Sequence, residues 1–125
     1  MGVADTIAPD CKILIVEDQS LIALDLQALL ADYGCSKILI AHNLQNACLQ
    51  LMRNNDINLV LVDVELRDGS GMELIEVLRR RHIPMIFTTG YSASEVVIDV
   101  PVITKPYSSE KLMAVILTVL NGNKQ

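Results

Sequence analysis

The chain has almost no aromatic residues, with one Phe, three Tyr and no Trp among its 125 residues. Its core must therefore be aliphatic, and an apolar fraction of 51% supplies Val and Ile for strands and Leu and Ala for helices to cover them. Cysteine is scarce as well. Cys11, Cys35 and Cys48 are odd in number and match neither a CxxC nor a zinc spacing, which excludes a disulfide framework and a closed metal site. Positive charge is in deficit: ten Lys and Arg against fifteen Asp and Glu leave a net charge of −5. No face has enough Lys or Arg to displace counterions from a polyanion, so nucleic acid is not expected as a direct ligand. The single basic run, Arg79-Arg80-Arg81, reads as a complement to a helix dipole. No apolar run approaches the roughly 18 residues of a membrane span, and residues 1–10 carry no basic or apolar targeting segment. A cytoplasmic protein without membrane contact is expected.

A chain of 125 residues holds one core and is too short for two. Residues 1–10 read as a flexible tail, 11–121 as one domain and 122–125 as a C-terminal tail. From Lys12 onward, β-branched runs at 12–16, 36–41, 57–62, 84–88 and 101–104 alternate with segments of helical periodicity. Ile22, Leu26, Leu29, Leu30 and Tyr33 form one helical stripe ended by Gly34. Asn43 and Ser108 are placed to cap the second and last helices. Between Ser92 and Val100, Val96, Val97 and Ile98 crowd together, so a fourth helix there is expected to be short or irregular. Five βα units predict an α/β fold: a doubly wound five-stranded parallel sheet in the order 2-1-3-4-5.

On such a sheet the first and third strands are neighbours, so Glu17, Asp18 and Asp63 should meet at their carboxyl ends. Two carboxylates about 4 Å apart repel by roughly 4 kcal/mol at an effective dielectric near 20, so the trio calls for a cation. An oxygen-only set suits Mg²⁺ better than Zn²⁺. His42 and His82 lie away from these acids and read as structural or solvated. The fourth strand ends in Thr88-Thr89-Gly90, and the fifth in Lys105-Pro106, where proline restricts the lysine backbone. Acids, hydroxyl and ammonium thus come from four strands. Singly, each residue also has a plain reading: a helix cap for Glu17-Asp18, a loop acid for Asp63, surface polarity for Thr89 and Lys105.

In order and spacing these residues resemble a response-regulator receiver domain, with a flavodoxin-like fold, over essentially all of residues 12–121. The resemblance implies an acidic pair at Glu17 and Asp18, a phosphoacceptor at Asp63, a switch threonine at Thr89 and a lysine at Lys105. It also implies Mg²⁺ held by Asp18, Asp63 and the Glu65 carbonyl directly, and by Glu17 through water. The donor would be a sensor histidine kinase or a histidine phosphotransfer protein. Phe87-Thr88-Thr89-Gly90-Tyr91 is similar to the FAT GUY subgroup, whose members often have a short or mobile fourth helix. Two departures stand out: Val102 occupies the place of the usual fifth-strand aromatic, with Tyr91 as candidate substitute, and Arg67 replaces a common proline, which is expected to loosen its loop.

The expected function is that of a single-domain regulator, monomeric or weakly dimeric, signalling to a downstream protein or passing its phosphoryl group on. The face around Val96, Val97, Ile98, Val100 and the last helix is the expected partner surface. A pseudo-receiver that binds partners without phosphorylation is the alternative. A haloacid-dehalogenase-type enzyme fits less well, because Asp63 lies on the third strand rather than an N-terminal one. A flavin carrier would need a hydroxyl- or glycine-rich loop where Glu17-Asp18-Gln19-Ser20 stands.

Overall fold

In a computed structural model, which describes residues 6–90 and 99–122, each predicted β-branched run becomes a strand. These are β1 (Lys12–Val16), β2 (Lys37–Ala41), β3 (Leu59–Asp63), β4 (Met85–Thr89) and β5 (Val102–Thr104). They form one parallel sheet in the order β2-β1-β3-β4-β5, as the repeat predicts. The helices are α1 (Ser20–Asp32), α2 (Leu44–Arg53), α3 (Ile75–Arg80) and α4 (Ser109–Gly122), with a 3-10 turn at Gly71–Leu74 leading into α3.

Alternation along each strand divides the interior into two layers. Ile13, Ile15, Leu59, Leu61, Ile86 and Ile103 face α1 and α4, packing on Ala23, Leu26, Leu30, Leu112, Met113 and Ile116. Leu14, Val16, Val60, Val62, Met85 and Phe87 face the other way, onto Leu44, Ala47 and Leu51 of α2 and Leu74 and Leu78 around α3. A sheet covered on both faces needs apolar side chains at every position, which is why the strands read as unbroken greasy runs.

The predicted caps are in place. Asn43 Oδ1 accepts from the Asn46 N–H at 2.7 Å and Ser108 Oγ from the Lys111 N–H at 3.0 Å. Gly34 ends α1 with φ of +103°, and an added Cβ there would meet the Ile7 carbonyl at 2.9 Å.

That contact corrects the tail boundary. Ile7 is 2% exposed, its N–H donates to the Tyr33 carbonyl at 2.7 Å, and Ser36 Oγ donates to the Pro9 carbonyl at 2.8 Å. Residues 6–10 therefore pack against the end of α1 instead of forming a flexible tail. A lone isoleucine among small residues carries no periodicity to announce this.

The loop after β3 has a structure of its own. It forms a two-residue-per-strand antiparallel hairpin, Glu65–Leu66 with Gly69–Ser70, and Arg67 lies in its turn. Asp68 reaches across to α2 and accepts from the Leu44 and Gln45 N–H groups at 3.0 and 3.3 Å. Chiefly the Leu44 bond holds the Asp68 carboxyl below its ordinary pKa. Ser70 and Glu73 close a capping box on the other side.

Residues 91–98, which include Tyr91, the apolar trio Val96, Val97 and Ile98 and most of the fourth helix expected between Ser92 and Val100, lie outside the described residues. Val100 packs against the second core layer.

Candidate functional site

The sheet register decides which polar groups can meet. Val16 pairs with Val62, Asp63 with Thr88, and Thr89 with Thr104. One step beyond these pairs the strands run out of apolar residues together. Glu17 follows β1, Asp63 ends β3, Thr89 ends β4 and Lys105 follows β5.

The acids converge as predicted: Glu17, Asp18 and Asp63 each present an oxygen within 4.8 Å of the others. Asp63 is 3% exposed and Glu17 2%. Lys105 Nζ lies 2.8 Å from Asp63 Oδ2 and 3.7 Å from Glu17 Oε1, so one ammonium serves two buried acids. The other Asp63 oxygen, Oδ1, accepts from the Glu65 N–H at 3.0 Å. Glu17 Oε2 accepts from the Gln19 N–H at 3.0 Å, so the plain helix-entry role is met in part by the same side chain.

Electrostatics follow from this crowding. Burial, and then the nearby Asp63 charge, outweigh the Gln19 hydrogen bond and Lys105, pushing the Glu17 carboxyl up to about 7. Burial alone would lower the Lys105 pKa, but its hydrogen bond to Asp63 and the charges of Asp63 and Glu17 reverse that and raise it. The acids outnumber the cations in a site shielded from water. Oxygen donors only, three carboxylates together and no histidine among them fit a hard cation such as Mg²⁺. The exposed His42 instead places Nδ1 3.0 Å from the Glu17 carbonyl, outside the carboxylate cluster.

On the β4 side, Thr89 is fully buried and its hydroxyl donates to Glu65 Oε2 at 2.6 Å. The Gly90 N–H donates to Glu65 Oε1 at 2.8 Å. All six sequence-predicted residues are thus at one crevice, but the contacts of the Glu65 carboxylate with Thr89 and Gly90 are not foretold by the sequence. The signal was its position, two residues after Asp63 and opposite a hydroxyl-and-glycine strand end. Gly71 closes the floor: a Cβ there would collide with the Asp63 carbonyl and Val62 Cγ1.

Fold and site together define a receiver, and the chain belongs to the response regulator receiver domain family, whose model matches residues 13–117. Among curated proteins, the phyllosphere-induced regulator PhyR of Methylorubrum extorquens is 33% identical over 115 residues, 87% of this chain and 43% of that protein. Among solved structures, the anti-anti-sigma factor PhyR of Bartonella quintana matches with a TM-score of 0.82 at 26% identity, covering 97% of this chain and 52% of that one. A CheY-like receiver domain protein of Methanospirillum hungatei matches with a TM-score of 0.80 at 28% identity, over 91% of this chain and 96% of its own. The chain spans less than half the length of the curated relatives it matches.

Proposed function

We propose that Asp63 accepts a phosphoryl group in a Mg²⁺-dependent reaction and that the phosphorylated domain signals by binding another protein or by passing the group on. One observation carries this reading: Asp63 is a buried carboxylate at a strand end, with acids on one side and an ammonium at 2.8 Å on the other. Asp63 attacks phosphorus, a new O–P bond forms, and the bond to the donor breaks with its electron pair leaving on the donor atom, which takes up a proton. With a histidine kinase or histidine phosphotransfer protein as donor, that atom is an imidazole nitrogen.

Lys105 orients the carboxylate and stays beside it to offset the developing charge on the transferring oxygens; the Thr89 hydroxyl is the second donor. Asp18, Asp63 and the Glu65 carbonyl would hold Mg²⁺, with Glu17 behind them. Bound there, the ion would neutralise phosphoryl oxygens and relieve the repulsion among the acids.

The likeness to an anti-anti-sigma factor and the net charge of −5 support a protein partner in sigma-factor control rather than DNA. A cytoplasmic setting and a monomeric or weakly dimeric state belong to the same reading.

The test is to treat the protein with acetyl phosphate, with and without Mg²⁺, and to weigh it. Gain of one phosphoryl group, stable to acid and labile to base, is expected with Mg²⁺ and absent in Asp63→Asn. An unchanged mass would leave the pseudo-receiver alternative standing, and the same adduct on Asp63→Asn would remove Asp63 as the acceptor.

A further inference from the structure

The donors that a phosphoryl group on Asp63 would need on the β4 side already hold an anion. Glu65 places Oε2 on the Thr89 hydroxyl at 2.6 Å and Oε1 on the Gly90 N–H at 2.8 Å. The two oxygens of one carboxylate thus take two converging donors in a fork, the arrangement that oxygens of a tetrahedral phosphoryl group would also adopt. The backbone of the same residue is fixed to the nucleophile, because the Glu65 N–H donates to Asp63 Oδ1 at 3.0 Å. The side chain is therefore tethered within reach of the site and cannot diffuse away when displaced. Hairpin pairing of Glu65 with Ser70 adds to that tether.

Resting on the phosphoacceptor reading above, we infer that the Glu65 carboxylate is a built-in competitor for the phosphoryl site, a latch that must leave Thr89 and Gly90 before the phosphorylated state can use them. Glu65 makes and breaks no covalent bond in this role. It exchanges its place as hydrogen-bond acceptor with the incoming group, and its own negative charge then lies beside that group. The latch slows acceptance and favours loss of the phosphoryl group, so it sets both the rate of charging and the position of the equilibrium. Glu65 acts through Thr89 and Gly90, which makes it a positioning residue.

The experiment compares wild type, Glu65→Gln, Glu65→Ala, Thr89→Ala and the double variant Glu65→Ala/Thr89→Ala. It measures the second-order rate of phosphorylation by acetyl phosphate at saturating Mg²⁺, and Gly90 amide hydrogen exchange without donor. Glu65→Ala should charge about tenfold faster, the effect of removing a charge-assisted hydrogen bond from the competing state. Glu65→Gln, which keeps one acceptor oxygen and the fold of the hairpin, should gain less. In the Thr89→Ala background the gain should shrink to about twofold, since only the Gly90 contact is left to release. Gly90 exchange should accelerate roughly tenfold in Glu65→Ala.

An equal gain from Glu65→Ala with and without Thr89 would mean simple charge repulsion and overturn the latch. So would an unchanged or slower charging rate, or an unchanged Gly90 exchange rate, in a variant whose wild-type parent still charges at Asp63. Failure of the wild type itself to charge would remove the phosphoacceptor reading and the latch together.

Discussion

The two sides of the Asp63 crevice are out of balance in opposite senses. Toward β1, Glu17, Asp18 and Asp63 crowd three carboxylates together, and Lys105 is the ammonium that Asp63 and Glu17 share. Toward β4, the donors of Thr89 and Gly90 are both held by Glu65. One side has acceptors in surplus, and the other has no donor idle between Thr89 and Gly90. A cation would relieve the first side, while an anion can enter the second only by displacing one already there. The difference supports the proposed phosphoryl transfer, because a cation and an anion entering together would meet the needs of both sides.

The largest break in this contrast comes from Lys105. Lys105→Met keeps most of the stem but leaves Asp63 and Glu17 buried without their shared ammonium. Loss of one partner from a buried pair costs about 3 kcal/mol, and less here because Lys105 is partly exposed. We expect a drop of about 2 kcal/mol in denaturant unfolding at pH 8 without metal, and a charging rate lower by about two orders of magnitude. A variant that unfolds at the wild-type midpoint in metal-free buffer would mean that the acids are not in need of a counter-charge.

A smaller effect separates the acidic side from the rest by pH. Glu17 titrates near 7 in the folded protein against an ordinary value of 4.5, so the folded state binds its proton more tightly than the unfolded state does. The resulting stability is fully present below about 4.5 and is lost as pH rises through about 7. Metal-free protein should therefore lose several degrees in Tm between pH 5 and pH 8. Mg²⁺, which needs the ionised acid, should restore more at pH 8 than at pH 6. Glu17→Gln should flatten the metal-free profile and weaken Mg²⁺ binding about tenfold. A Tm that rises steadily from pH 5 to pH 8 in chelator would contradict the crowding that the cluster implies.

How far the sequence foretold these two sides differs for a physical reason. β-branching and helical spacing are local properties, so the five strands, the sheet order and the caps at Asn43 and Ser108 could be read directly from sequence. The acidic side was legible too, because each acid ends an apolar run and the fold rule puts run ends together. The Glu65 contacts were not. They depend on a side chain turning 24 residues across the crevice to Thr89, and no spacing encodes that direction. The same holds for Ile7 under α1 and for Asp68 on the start of α2, where a single side chain closes a tertiary gap.

The smallest expected effect is the most direct probe of the acidic side, because it changes a cation that is not part of the chemistry. Arg67 Nε lies 3.8 Å from Asp18 Oδ2, with the Arg67 side chain 83% exposed and the Asp18 side chain 12% exposed. An exposed pair of this kind is worth at most about 1 kcal/mol and is screened by salt over roughly 8 Å at physiological ionic strength. Its guanidinium nonetheless occupies charge that Mg²⁺ would otherwise meet at Asp18. Arg67→Ala should therefore bind Mg²⁺ about twofold more tightly at low salt, the reverse of Glu17→Gln, and the gain should vanish at high salt. Calorimetric titration at two salt concentrations measures it. Tighter binding that persists in high salt would point to loop rearrangement, since Arg67 sits in the hairpin turn between Leu66 and Asp68, and the crowding of negative charge would then not be what limits cation entry.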